Sequence, residues 1–98
     1  MGEIRRIAID VHYEALDDRE REMLCWAACG LTASKIAERC NLSAYYVNDL
    51  LKRARQKLGA LNTTDASHLA RAFGEISTGE YLHYRTMVYG EETESPQT

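Results

Sequence analysis

Residues 41 to 59 read Asn41-Leu42-Ser43-Ala44-Tyr45-Tyr46-Val47-Asn48-Asp49-Leu50-Leu51-Lys52-Arg53-Ala54-Arg55-Gln56-Lys57-Leu58-Gly59. Asn41 and Leu42 make a tight turn. Ser43 follows as a helix cap, its hydroxyl satisfying a backbone N–H that has no partner in the first turn. Val47, Leu51, Ala54 and Leu58 then recur at helical spacing and form an inward stripe. Gly59 ends the run as a left-handed cap residue. The spacing predicts one helix over 44–58, with a polar outer face that carries Lys52, Arg53, Arg55 and Lys57.

Upstream of this helix, Asp17 with Glu20 three residues later is a capping box. Met23, Leu24, Ala27 and Ala28 give the helix that follows a core face, and Gly30 stops it. Thr32 caps a short second helix with Ile36, Ala37 and Cys40 on its apolar side. Downstream, Asn62 caps a fourth helix that runs to about Ile76, with Ala66, Leu69, Ala70 and Phe73 inward. His68, Arg71, Ala72 and Glu75 point elsewhere. The two ends read differently. Ile7, Ile9, Val11 and Tyr13 alternate, which is a strand period over 4–13. Residues 81–89 are rich in aromatic and β-branched types and also read as a strand. Residues 91–98 are expected to be disordered.

The expected fold is therefore all-α, a four-helix core with short terminal β-strands. It divides into an extended arm at 1–15, a core domain at 16–76 and a C-terminal extension at 77–98. Two short helices and a tight turn, followed by a longer helix with a polar outer face, form a helix-turn-helix. The DNA major groove admits one helix, and the preceding helix braces it against the backbone.

Composition narrows the remaining choices. The chain has 98 residues, enough for one domain, and a hydrophobic content of 45%, too high for a disordered chain. Twelve basic against 15 acidic residues give a net charge of −3, which is not that of a general nucleic-acid coat. A local basic stripe on such a protein can still track phosphates. Cys25, Cys29 and Cys40 are an odd set without framework spacing, which points to free thiols in a reducing, cytoplasmic compartment. No signal peptide or long apolar run indicates a membrane. Cys25 and Cys29 share a helix, but the histidines, His12, His68 and His83, are scattered, so no metal site is assigned. Trp26 reads as core. The sequon Asn62-Thr63-Thr64 reads as a helix cap. No nucleophile elbow, phosphate-cradling loop or isolated carboxylate pair is present, so neither enzyme activity nor a cofactor is expected.

The stretch Leu16 to Gly30, with its arginine, glutamate and tryptophan before a glycine, resembles the opening of the LuxR/GerE family. Ile36-Ala37, Leu42 to Val47, Lys57-Leu58-Gly59 and Asn62 to Ala66 continue the resemblance in one register, over about three-fifths of the chain. It implies a DNA-binding transcriptional regulator whose helix 44–58 lies in the major groove of double-stranded DNA. Carried over by position, Ala44, Tyr45, Asn48, Asp49 and Lys52 face the groove. Tyr46, Val47 through its backbone N–H, Arg53 and Lys57 contact phosphates, with help from Arg55. The fourth helix, through His68, Arg71, Ala72 and Glu75, makes the contact of a homodimer.

The sequence departs from the family's usual pattern at four positions. Tyr46 stands where Thr is usual, Leu50 where His is usual, Lys35 for Glu and Thr63 for Arg. Asp49 puts a carboxylate on the reading face, where it accepts from a cytosine amino group or repels phosphate. Members of the family usually carry an input domain ahead of this unit. Fifteen residues cannot hold one, so control through amount, dimerisation or a partner is expected. A second reading follows: a protein-interaction module that pairs with a heteromeric regulator partner and binds DNA weakly, with an exposed Leu50 as its apolar contact.

Overall fold

The computed structural model describes residues 13–94. In that span the chain forms five helices and no strand: α1 (Asp18–Ala28), α2 (Ala33–Cys40), α3 (Ala44–Leu58), α4 (Thr63–Phe73) and α5 (Thr78–Glu94). Every expected cap closes. Asp17 accepts the Glu20 N–H at 2.8 Å, and the Glu20 carboxylate accepts the Asp17 N–H at 3.0 Å. Thr32, Ser43 and Asn62 each accept the backbone N–H three residues on. Asn41 takes the left-handed conformation, φ +58°, that turns the chain from α2 into Leu42 and the cap of α3.

The core lies where α1, α3 and α4 meet. Met23, Leu24, Ile36, Val47, Leu51, Ala54, Leu58, Ala66 and Ala70 are buried there. Leu50 is buried with them, 1% exposed. It sits three residues after Val47 and four before Ala54, on the same inward stripe of α3, so it is not the exposed apolar spot expected from the sequence.

The fourth helix ends earlier than expected. Gly74, at φ +84°, caps α4 after Phe73, and its N–H donates to the Arg71 carbonyl at 3.2 Å. Ile76 lies in the connection that follows and is buried by packing back on the core.

The strand expected over 81–89 is a correction, because the segment is the middle of α5. Ser77 and Glu80 form a second capping box. The Ser77 hydroxyl accepts the Glu80 N–H at 3.0 Å, and the Glu80 carboxylate accepts the Ser77 N–H at 3.4 Å. Tyr81, Tyr84, Met87 and Val88 fall at helical spacing and pack on the core. The aromatic and β-branched content suggested a strand, but burial follows the period of 3.6. Residues 91–94, expected to be disordered, continue α5. Residues 1–12, with most of the expected N-terminal strand, and residues 95–98 lie outside the described span.

α5 runs alongside α1 in the same direction. Glu80 lies 3.5 Å from the Arg21 guanidinium, and the Tyr84 ring meets Trp26 edge-to-face at 4.5 Å. On its other side Trp26 is covered by the Arg39 guanidinium, 4.7 Å from the ring centroid. This second contact surface explains why Cys25 and Trp26 are buried although they lie off the face of α1 that packs on α3 and α4. The chain enters the domain at Tyr13, stacked on Phe73 at 4.2 Å, and Glu14, whose N–H donates to the Lys57 carbonyl at 2.8 Å.

Candidate nucleic-acid interface

With one side of α3 committed to the core, the other side is open. Ala44, Tyr45, Asn48 and Lys52 are exposed, and Tyr45 is 83% exposed. Tyr45, Asn48, Asp49, Lys52 and Arg55 line a shallow concavity of about 280 Å³ along the outer face of this helix. Among the described residues Lys52 has no ion-pair partner. Asp49 is held instead by Arg53, with Oδ2 and Nη2 2.8 Å apart across one helical turn. This pair lies on the surface and contributes little to stability. Its consequence is local, because it neutralises the one carboxylate on the face.

The residues expected at phosphates fall into two groups. Tyr46 is half-exposed at the start of α3, and Arg53 is exposed beside the concavity. The other group is already engaged. The Val47 side chain is buried, and its N–H donates to the Ser43 carbonyl at 3.1 Å. Arg55 donates to the Thr63 hydroxyl at 3.4 Å, which ties the end of α3 to the start of α4. Lys57 donates to Oε1 of Glu20 at 2.8 Å, and that hydrogen bond raises its pKa. Glu20 is the partner that sequence reading missed. Its capping role was visible, but its contact with a lysine 37 positions away was not. The Asp49–Arg53 pair was also missed, although its i, i+4 spacing was the available signal.

The residues expected at a dimer contact divide in the same way. His68 and Ala72 are exposed on α4. Arg71 donates to the Thr78 hydroxyl at 3.1 Å and lies over the Tyr81 ring, and Glu75 accepts the Leu16 N–H at 3.0 Å.

A helix with a polar open stripe, braced by a preceding helix across a left-handed turn, is helix-turn-helix geometry. Residues 14–70 match the bacterial regulatory proteins of the luxR family. The chain belongs to that family. It is also 38% identical over 69 residues to the transcriptional activator protein BjaR1 of Bradyrhizobium diazoefficiens. The aligned part is 68% of this chain and 28% of the relative, so the chain spans little more than a quarter of that protein's length. The luxR-family unit is a DNA-binding, transcription-regulating helix-turn-helix, and the family is one of regulators rather than enzymes. Its matched segment ends within α4, so α5 is an addition to the family unit in this chain. Among the described residues no helix is long and apolar enough to cross a membrane, and no three metal-ligating side chains come together.

Proposed function

We propose that this luxR-family protein regulates transcription by binding double-stranded DNA as a homodimer, with α3 in the major groove. One observation carries the reading: the exposed stripe of Tyr45, Asn48, Asp49 and Lys52 lies opposite the buried stripe of α3. A helix that offers donors and acceptors on one side and is anchored on the other suits base-edge readout. Tyr46, Arg53 and Arg55 flank the stripe and supply phosphate contacts, Arg53 through the N–H groups left over from its pair with Asp49 and Arg55 by giving up its weak bond to Thr63. Lys57 is mainly structural. The homodimer forms through α4, where His68 and Ala72 are exposed, and Leu61 just ahead of that helix is 90% exposed. A two-fold dimer places two copies of α3 in successive major grooves, so the operator is an inverted repeat. The likeness to a transcriptional activator supports a role at promoters, in the compartment that holds the chromosome.

The competing reading, a protein-pairing module with weak DNA binding, drew on Asp49, the acidic balance, the lack of room for an input domain and an exposed Leu50; of these, Leu50 is buried and Asp49 is paired with Arg53. Two measurements on a selected duplex test the proposal. Sedimentation of the complex is expected to give two chains per duplex. Methylation of guanine N7, a major-groove atom, is expected to block binding in both half-sites. One chain per duplex removes the dimer, and binding indifferent to N7 methylation removes the major groove.

A further inference from the structure

Asp49 is the only acid on the open face of α3, and a carboxylate beside DNA needs a donor to justify its position. Its Oδ2 is occupied by Arg53 at 2.8 Å, which leaves Oδ1 to accept from outside. Lys52, one turn further along, lines the same concavity and has no ion-pair partner among the described residues. The face therefore presents a fixed acceptor next to a cluster of donors.

In the major groove a G·C pair offers guanine N7 and O6 as acceptors and the cytosine N4 amino group as a donor, in a row. The order matches an ammonium beside a carboxylate. An A·T pair sets its donor between two acceptors and ends on the thymine methyl, where an ionised carboxylate is desolvated without a partner. We propose that Asp49 and Lys52 together select a G·C base pair in each half-site, Asp49 accepting from cytosine N4 and Lys52 donating to guanine O6 and N7. This rests on the DNA-reading role proposed above. Arg53 is a positioning residue in this scheme. Its ion pair holds the Asp49 carboxylate in place and offsets the charge that would otherwise repel phosphate.

The test is selection of bound sequences from random duplexes with the full chain and with three variants: Asp49→Asn, Lys52→Ala and Arg53→Gln. The wild type is expected to fix one G·C pair per half-site. Asp49→Asn is expected to move that position towards A·T, because an amide pairs in two places with adenine. Lys52→Ala is expected to relax the preference at that same pair by roughly tenfold, and relaxation at a different pair would overturn the joint assignment. Arg53→Gln is expected to keep the preferred base and weaken the preference, the mark of a residue acting through Asp49. All three positions are on the open face, and circular dichroism checks that each variant is folded. A selected site that Asp49→Asn leaves unchanged overturns the assignment while the DNA-reading role stands. Absence of binding by the wild type overturns both.

Discussion

The Lys57 ammonium lies 2.8 Å from Oε1 of Glu20, a carboxylate only 1% exposed. That same oxygen accepts the Asp17 N–H at the start of α1. One buried acid thus joins the beginning of α1 to the end of α3. Lys57 reaches it by its flexible stem while keeping part of its surface in water. Glu20→Gln keeps the shape and removes the charge. It is expected to cost about 1–2 kcal/mol, because the Lys57 ammonium then loses its charged acceptor. Urea unfolding followed by circular dichroism measures it.

The same pair has a pH signature. The hydrogen bond to Glu20 raises the Lys57 pKa above its ordinary value of 10.5. A cation bound more tightly in the folded chain adds stability below the unfolded pKa, and that addition is lost as the pH rises through the folded value. The stability gap between the wild type and Glu20→Gln is therefore expected to be flat from neutral to mildly alkaline pH and to close above pH 10.5. A gap independent of pH through that range would mean that Lys57 gains nothing from Glu20.

Lys52 and Lys57 are expected to separate cleanly. Lys52→Ala leaves thermal stability unchanged and weakens binding to the selected site roughly tenfold, while the slope of log affinity against log salt changes by less than the ~0.9 of one phosphate contact. Lys57→Ala lowers the melting temperature and leaves the slope nearly intact. Anisotropy titrations at several salt concentrations, paired with thermal melts, distinguish the two.

The caps and the inward stripe were legible in the sequence because both are local. Asp17, Thr32, Ser43 and Asn62 announce helix starts through one side-chain oxygen and one N–H three residues on. Val47 to Leu58 announces a buried face by spacing alone. The family match extends that reading to a DNA-binding regulator. The misreadings came from weighing composition over period. The Ser77–Glu80 box was a start signal of the same kind as Asp17–Glu20, yet the tyrosines and valine after it suggested a strand. Leu50 was read through the family's usual histidine rather than through its place beside Val47 and Ala54. Glu20–Lys57 and Trp26–Tyr84 join residues far apart in the chain, and no local pattern signals either contact.

The docking of α5 predicts a spectroscopic change. Trp26 is the single tryptophan, in contact with Arg39 and Tyr84, and its indole N–H is buried. Tyr84→Ala removes one wall of that site. The expected result is a red shift of tryptophan emission and a loss of about 1–2 kcal/mol, less than a fully buried aromatic truncation because Tyr84 is only partly buried. Unchanged emission would place the Trp26 environment in α1 and α2 alone.

Burial sets the order of thiol reactivity. Desolvation pushes the Cys25 thiol up to about 12. Its thiolate fraction at neutral pH is then roughly a thousandfold below that of a free cysteine. Alkylation followed by peptide mass mapping is expected to modify half-buried Cys40 in the native protein and to spare Cys25 until denaturant is added.

The central claim is that the open face of α3 reads DNA. Its most direct test is titration of the purified protein into a labelled pool of random duplexes at two salt concentrations, with the bound fraction sequenced. The account predicts binding that weakens steeply with salt and enriches an inverted repeat. Failure to bind any duplex at low salt would contradict it, and the helix-turn-helix would then be a scaffold for protein contacts.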